Sequence, residues 1–223
     1  MKQKNILSAV LKDINGKNYL RSIQQFELYY RKLLAWNQKI NLISRHDENC
    51  MVTRHFVESL GFLDIVDFHH QAKVVDLGSG AGFPGIPIAI VRPDLDIILV
   101  ESKTKKAGFL DYISSELQLN NIQVIGKRME SVCDRIEPVD IIVCRSVASL
   151  SKLYKWSYPC LKKSQSKLIT IKGEQYKKEL NILLKQKKSD IKIEYEIKPY
   201  NPFSDIYTIR TCYMVIIYIK KLT

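Results

Sequence analysis

The spacing of apolar residues divides the chain into a helical first part and a longer part in which strands and helices alternate. Over residues 19–37 apolar side chains recur every three or four positions, which is typical of a helix with one buried face. These residues are Ile23, Phe26, Tyr30, Leu33 and Leu34. Ser44 and Asp47 are capping residues before a second predicted helix over residues 48–63. The pattern therefore predicts a helical extension within residues 1–65.

Beyond residue 70, short apolar runs alternate with segments of helical periodicity. The runs predict strands over residues 73–77, 96–100, 122–125, 139–143 and 167–171. The other segments predict helices over residues 85–91, 103–119, 150–161 and 174–188. The second of these helices turns four apolar residues inward, namely Ala107, Leu110, Ile113 and Leu117. Such alternation indicates parallel β-α-β units with helices on both faces of the sheet.

Two longer strands are predicted near the end of the chain, over residues 191–198 and 207–220. Their connection through Pro199–Pro202 is short and rich in turn-forming residues, so it cannot make a parallel crossover. We therefore expect an α/β fold whose mostly parallel sheet has an antiparallel C-terminal strand. We expect one domain over residues 1–223, with its sheet core in residues 70–223.

The composition mainly excludes certain classes of protein. The 223 residues are 46% hydrophobic and 26% charged, which suits a globular chain that needs no disulfide or metal to stabilise its core. The five cysteines are widely spaced without a CxxC pair, and the four histidines form no zinc pattern. Apolar runs such as Met214–Ile219 are too short to cross a bilayer. We expect structural thiols, no metal, no membrane segment and a cytoplasmic location.

The distribution of charge suggests a polyanionic partner. The formal net charge is +12, and residues 1–150 contain 19 basic and 17 acidic side chains, whereas residues 151–223 contain 16 and 6. A basic excess in one region is typical of proteins that bind nucleic acid. Lysine-rich helix faces that are merely solvated explain the excess equally well, so charge alone does not decide.

The most informative segment follows the first predicted strand of the sheet and reads Asp76-Leu-Gly-Ser-Gly-Ala-Gly-Phe-Pro-Gly85. Alternating glycines allow positive φ and a close approach of ligand to backbone, and the next helix directs free N–H groups at an anion. Gly80–Gly85 matches the GxGxxG fingerprint of dinucleotide sites. Asp76, however, would repel a pyrophosphate and would suit the ammonium group of S-adenosylmethionine. We favour the methyl donor and keep an NAD(P)-binding oxidoreductase as an alternative.

Later strand ends supply residues for the nucleoside part of either ligand. Glu101 ends the second strand, 23 residues after Gly78, where a carboxylate accepts hydrogen bonds from ribose hydroxyls. Met129 and Glu130 follow the third strand and border the same crevice, beside an adenine ring. The position of Glu101 fits NAD and S-adenosylmethionine equally, and Met129 taken alone is also explained as a core residue.

Several short blocks, taken in order, resemble the bacterial small-subunit rRNA guanine-N7 methyltransferases, once called glucose-inhibited division protein B. The blocks lie between about residues 20 and 175 and are Trp36-Asn37, Asn41-Leu42, Arg54-His55, Glu58-Ser59-Leu60, the glycine loop continued to Pro87, Arg145-Ser-Val-Ala-Ser-Leu150 and Lys172-Gly173. The glycine loop alone indicates only a class I methyltransferase. The Pro-Gly-Ile-Pro and Arg-Ser-x-Ala-Ser-Leu blocks are much more specific.

The resemblance implies a class I S-adenosylmethionine-dependent methyltransferase fold with an N-terminal helical extension. It also implies S-adenosylmethionine as donor, N7 of a guanosine in 16S rRNA as acceptor, and 16S rRNA or a small-subunit precursor as partner; we expect a monomer. Matched by motif, the donor contacts fall at Gly78, Phe83, Met129, Glu130 and Arg145. Asp76, Gly80 and Glu101 join them through the reasoning above.

The residues near the fourth strand are compatible with that acceptor. Methylation of an exocyclic amine generally needs Asn or Asp before Pro-Pro-aromatic, but this strand ends in Cys144-Arg145, and Asn201-Pro-Phe203 comes too late and is predicted to be a turn. Methylation of pyrimidine C5 needs a cysteine nucleophile, and Cys144 is better interpreted as a buried strand thiol. Guanine N7 has no proton to lose, so placement alone suffices. We expect no acid or base, with Arg145 and Lys172 positioning the reactants.

The predicted RNA surface combines basic residues of the N-terminal helices with others near residue 175. It consists of Arg45, Arg54, His55, Lys172, Lys177 and Lys178. Contacts with phosphates make binding weaken steeply as salt rises. A non-catalytic RNA-binding module and a methyltransferase with another substrate remain alternatives.

Overall fold

The computed structural model describes residues 2–16, 19–162, 166–186, 189–203 and 212–221. Within these ranges the helices are α1 (Lys2–Asn15), α2 (Tyr19–Asn37), α3 (Arg45–Glu48), α4 (Glu58–Ile65), α5 (Gly85–Val91), α6 (Thr104–Glu116), α7 (Leu150–Ser157) and α8 (Tyr176–Gln186). The strands are β1 (Lys73–Leu77), β2 (Asp96–Val100), β3 (Ile122–Ile125), β4 (Ile141–Arg145), β5 (Ser166–Lys172), β6 (Ile191–Pro199) and β7 (Tyr213–Lys221). A π-helical turn, Val52–Val57, leads into α4.

The seven strands form one sheet in the order β3-β2-β1-β4-β5-β7-β6. All neighbours from β3 to β5 are parallel, and β7 runs antiparallel to both β5 and β6. The sequence-based expectation of a mostly parallel sheet with an antiparallel final strand is confirmed. The strand order reverses between β2-β1 and β4-β5, and parallel sheets bind ligands in the crevice at the carboxyl ends of strands beside such a reversal.

Apolar residues pack against both faces of the sheet. On β1, Val74 belongs to a cluster that includes α1, α2, α4, α5 and α6, whereas Val75 belongs to a cluster with α7 and α8. This alternation follows from the two-residue period of a strand, which turns successive side chains to opposite faces. The helical extension therefore shares its core with one face of the sheet.

On α2, the buried residues are Ser22, Phe26, Tyr29 and Leu33. The predicted stripe is confirmed, since its five residues are buried or packed against the core. The stripe omitted Tyr29, which is fully buried, whereas Tyr30 is half-buried. On α6, the four residues predicted to face inward are all buried. Ser44 caps α3 as predicted, with its hydroxyl accepting from the Asp47 amide at 3.2 Å.

Several element boundaries differ from the expected ones. The helix predicted over residues 48–63 is divided into α3, the π-helical turn and α4. The helix predicted to reach residue 161 ends at Ser157, because Pro159 lacks the N–H that would continue it. The strand predicted over residues 139–143 lies at Ile141–Arg145. The predicted segments 187–188 and 207–211 lie outside the described residues.

Candidate active site

The glycine loop lies at the carboxyl end of β1 and turns over the end of β2. Gly78, Gly80 and Gly82 have φ values of +75°, +60° and +101°, which side chains rarely tolerate. The Gly78 amide donates to the Val100 carbonyl at 2.8 Å. A Cβ atom on Gly78 would lie 2.8 Å from a methyl group of Val147, so a side chain there would displace the loop that follows β4. Local backbone demands thus explain the glycines that the sequence singled out.

Asp76 is wholly buried beneath this loop. One carboxylate oxygen accepts from the amide of Gly85, the first residue of α5, at 2.9 Å, and the other has no hydrogen-bond partner among the described residues. Burial raises the pKa of Asp76 to about 7, although the Gly85 amide opposes that rise. Asp76 therefore fixes the start of α5 against β1, and its contact with a donor ammonium group stays a prediction.

Glu101 joins the end of β2 to the glycine loop. Its two carboxylate oxygens accept from the Gly80 amide at 2.9 Å and from the Lys103 amide at 2.7 Å, and the residue is 7% exposed. Each carboxylate oxygen has a further lone pair that can accept from another hydroxyl. The structure thus brings into direct contact two residues predicted to bind the methyl donor, Gly80 and Glu101.

A slot of about 170 Å³ is lined by Val100 and Ser102, the two chain neighbours of Glu101. Leu77, Val100 and the buried Met129 give it apolar walls, and Gly78 forms part of its floor. The exposed Glu130 lies at its rim. The slot is also bordered by Lys127 and Arg128. Its apolar walls have the right chemistry for a flat base, so these residues fit an adenine ring.

Arg145 ends β4 and joins the glycine loop to the helical extension. Its guanidinium donates to the Arg54 carbonyl at 2.8 Å and to the Glu58 carboxylate at 3.2 Å. The guanidinium carbon lies 5.3 Å from the centre of the Phe83 ring, a cation–π distance. Phe83 and Arg145, both predicted to bind the methyl donor, are therefore adjacent. Glu58 is a hydrogen-bond partner of Arg145 that sequence reasoning did not assign.

His55 packs against the same ring and contacts Arg145. Its imidazole stacks on Phe83 with ring centres 4.8 Å apart and planes 10° apart, and its Nδ1 lies 2.5 Å from an Arg145 nitrogen. Burial, reinforced by the positive charge of Arg145, lowers the pKa of His55 to about 3. The neutral ring therefore accepts from Arg145 through Nδ1. A neutral, largely buried imidazole gives no support to the predicted role of His55 in binding RNA phosphate, which stays a prediction.

Lys172 ends β5 and is engaged within the protein. Its ammonium pairs with Glu179 at 2.9 Å and donates to the Ala148 carbonyl at 2.5 Å, and its side chain is 14% exposed. The same Glu179 oxygen accepts from the Leu150 amide at 2.9 Å. Lys172 and Glu179 thus hold the 146–149 loop, which contacts Gly78 through Val147.

The other basic residues of the predicted RNA surface do not gather in one place. Arg45 belongs to the extension on one face of the sheet, whereas Lys177 and Lys178 begin α8 on the opposite face. All three are exposed and have no ion pair within the described residues. Arg54 instead pairs with Asp47. A common RNA surface formed by this set stays a prediction.

The alternatives built on cysteine or metal chemistry gain nothing from the geometry. Cys144 is fully buried, and burial raises the pKa of its thiol to about 12, so a thiolate nucleophile is disfavoured there. Among the residues that the structure describes, no three His, Cys, Asp or Glu side chains converge as a metal site would require. Each helix in the described ranges is too short or too polar to cross a membrane.

Besides Glu58, sequence reasoning missed two residues that shape the crevice. The hydroxyl of Tyr29 donates to the Ala81 carbonyl at 2.5 Å and anchors the glycine loop from α2. The helical spacing of the buried α2 residues could have predicted that Tyr29 faces the core. Val147 had no such signal, because its position depends on Ser146, which has a φ of +57°.

Comparisons with known proteins agree with this geometry. A family model described as rRNA small subunit methyltransferase G matches residues 22–201. Ribosomal RNA small subunit methyltransferase G from Staphylococcus aureus strains JH9 and Newman is 36% identical over 176 residues, covering 78% of this chain and 73% of each relative.

Solved structures share the fold at low sequence identity. M. jannaschii TYW2 in complex with AdoMet has a TM-score of 0.57 and 15% identity, covering 76% of this chain and 77% of that chain. TrmN from Thermus thermophilus has a TM-score of 0.54 and 13% identity, covering 77% of this chain and 53% of that chain. The predicted class I methyltransferase fold with an N-terminal helical extension is confirmed. By the family match and the identity to its relatives, this chain belongs to the rRNA small subunit methyltransferase G family.

Proposed function

We propose that the protein methylates N7 of a guanosine in 16S rRNA with S-adenosylmethionine as the methyl donor. The observation that carries this proposal is family membership over residues 22–201. The geometry supports it, because the glycine loop, the Glu101 carboxylate and an apolar slot meet at one crevice of the sheet. When bound, the donor supplies an electrophilic methyl group on its sulfonium.

The donor would be held by residues from three strand ends. The slot beside Met129 would receive adenine, and Glu101 would accept from the ribose hydroxyls. Most amides of the glycine loop already donate within the protein, so none is assigned to the donor carboxylate. Because burial raises the pKa of Asp76 to about 7, its charge discriminates less sharply against a pyrophosphate than an exposed carboxylate would. The choice of S-adenosylmethionine over a dinucleotide therefore rests chiefly on the family.

Positioning supplies the catalysis in this proposal. The in-plane lone pair of guanine N7 attacks the methyl carbon in line with the departing sulfur, and no proton has to leave N7, so no general base is required. Arg145 is held by Phe83, Glu58 and His55, and it orders the crevice at the end of β4. Lys172 orders the adjacent 146–149 loop through Ala148.

We further propose that one copy of the chain acts alone, in the cytoplasm, on 16S rRNA or a precursor of the small subunit. A nucleotide whose N7 is accessible is best presented in an unstacked loop, because N7 lies in the deep groove of paired A-form RNA.

The test is transfer of labelled methyl groups to rRNA from cells that lack the protein, followed by mapping of the modified nucleotide. We expect 7-methylguanosine at a single site in 16S rRNA. Arg145→Ala should slow transfer ten-fold or more (~1.4 kcal/mol) because the crevice loses the group that orders it. Modification of another atom, or a rate in Arg145→Ala equal to that of the unaltered chain, would contradict the proposal.

A thermal-shift titration separates the alternative classes. S-adenosylmethionine should raise the melting temperature, because a ligand that binds only the folded state stabilises it. Stabilisation by NAD alone would favour an oxidoreductase. Binding of RNA without any effect of the donor would favour a non-catalytic RNA-binding module.

A further inference from the structure

We propose that a basic groove between the helical extension and the start of α6 binds the phosphodiester backbone of the substrate RNA. The basic groove is lined by Lys39, Arg45, Lys103, Lys105 and Lys106. This inference rests on the proposed function, which identifies the bound polyanion as the substrate rRNA. It assigns the binding to a surface that the sequence-based prediction largely omitted, since only Arg45 is common to both sets.

Two adjoining cavities form the groove. One, of about 340 Å³, is bordered by residues 37–41, Arg45, Glu48 and Lys105. The other, of about 410 Å³, is bordered by Ile40, Asn41 and residues 103–106. The cavities share Ile40, Asn41 and Lys105, so they make one continuous trough between the loop after α2 and the first turn of α6.

The charge of the groove is not neutralised within the protein. Its five basic residues form no ion pair among the described residues, and all but the half-buried Lys106 are exposed. Glu48 is the one carboxylate that borders either cavity, and it accepts from the Asn37 side-chain amide at 2.6 Å. Burial and the positive charge of Lys103 both lower the pKa of Lys106, while Glu101 raises it. Because none of the five cations forms an ion pair among the described residues, a bound anion would stabilise them.

The position of these lysines on α6 is a separate indication. The first turn of this 13-residue helix contains no acidic residue, although lysines occupy its N-cap and two of its first three positions. Cations at a helix N-terminus oppose the helix dipole and reduce helix stability. The free N–H groups of that turn and the lysines both attract an anion to this end of the helix. Lysines that lower the stability of the helix are expected to serve another purpose, and binding of a phosphate group is one that fits this position.

The groove also leads to the crevice. The Lys103 amide donates to Glu101, so the groove begins two residues from the carboxylate assigned to ribose binding. Both features lie at the carboxyl end of β2. A strand of RNA along the groove would therefore place a neighbouring nucleotide at the mouth of the donor site.

The test compares two triple variants that remove the same charge. The groove variant is Lys103→Gln, Lys105→Gln and Lys106→Gln. The control variant is Lys185→Gln, Lys192→Gln and Lys220→Gln, whose exposed residues lie at the end of α8, the start of β6 and the end of β7, at the opposite edge of the sheet. Binding of an unmodified 16S rRNA transcript is measured at several salt concentrations.

We expect the groove variant to bind the transcript at least ten-fold more weakly at low salt. The slope of log affinity against log salt should become shallower by about 2, because each lost contact with single-stranded phosphate removes ~0.7. The control variant should keep the slope of the unaltered chain. Equal losses in the two variants, or no loss in the groove variant, would overturn the proposal.

Two further measurements keep the outcome interpretable. If the groove variant melts at a lower temperature, Lys39→Gln with Arg45→Gln tests the other wall without altering α6. RNA binding is measured without methyl transfer, so a wrong acceptor atom would leave the groove result standing. Conversely, correct methylation with unchanged salt dependence in the groove variant would overturn only the groove.

Discussion

At the scale of single residues, Asp76 has the most consequential charge state in the crevice. Burial raises its pKa from near 4 to about 7 in the folded chain. Between these values the folded state holds a proton that the unfolded state has released, so the free energy of unfolding decreases as pH rises through this window. Above pH 7 the ionised form persists at a cost to stability, which the Gly85 amide offsets only in part.

Asp76→Asn should remove this pH dependence. The amide oxygen can still accept from Gly85, and no charge is buried at any pH. From about pH 5 to about pH 8 the unaltered chain should lose a few kcal/mol in its free energy of unfolding, and the variant should not. Urea unfolding at both pH values measures the difference. Asp134→Asn, at an exposed carboxylate, is the control and should leave the pH dependence unchanged. If Asp76→Asn instead leaves stability unchanged and weakens donor binding, Asp76 faces the donor ammonium group.

The sequence predicted residues whose roles follow from local backbone or from strand ends. The glycines at 78, 80 and 82 adopt the positive φ that their spacing indicated, and Glu101 lies beside Gly80 because adjacent parallel strands end together. The contact between His55 and Arg145 could not be predicted in this way. It joins residues 90 positions apart, through a π-helical turn that has no periodicity signal.

At the scale of elements, α4 is fastened to the segment after β6. The Tyr200 hydroxyl donates to the Glu58 carbonyl, and Pro202 lies directly against Gly61. Glu58 in turn pairs with Arg145. The turn at Asn201-Pro-Phe203, predicted to have no catalytic role, thus supports the helix that holds a crevice residue.

Gly61→Ala should destabilise this junction. A Cβ atom there would lie 2.3 Å from Pro202 and 2.5 Å from the Tyr200 hydroxyl, which real side chains do not tolerate. We therefore expect a loss of about 1–3 kcal/mol in the free energy of unfolding. Gly108→Ala is the matched control, because Gly108 is also helical but has nothing within 4 Å of an added Cβ. The control should gain roughly 0.5–1 kcal/mol. Denaturant titration of both variants makes the comparison, and equal effects would contradict the junction.

At the scale of the whole molecule, charge counting along the sequence gave a partial picture. The excess lies in residues 151–223, yet Lys162, Lys172, Lys192 and Lys198 of that region pair with carboxylates. The unpaired basic groove lies in the nearly neutral first part. Counting by segment shows neither which charges are neutralised nor which ones converge in space. The strand and helix pattern predicted the fold, whereas the location of an RNA surface stays a prediction.

The prediction of one domain over the whole chain has its own physical basis. One apolar cluster contains both Phe26 of the extension and Val74 of the sheet, so neither part can separate without exposing apolar surface. The two tryptophans report on the two sides: Trp36 of α2 packs 5.5 Å from Phe109 of α6, and Trp156 lies on α7 in the other cluster. Cooperative unfolding should therefore remove both environments together.

Two single-tryptophan variants measure this directly. Trp156→Phe leaves Trp36 as the fluorophore, and Trp36→Phe leaves Trp156. After correction for the stability change caused by each substitution, which circular dichroism supplies, fluorescence and circular dichroism should give one midpoint within each variant. S-adenosylmethionine at about 100 times its Kd should raise the free energy of unfolding by ~2.7 kcal/mol in both. A Trp36 transition that precedes the loss of circular dichroism and is insensitive to donor would mean that the extension folds as a separate domain.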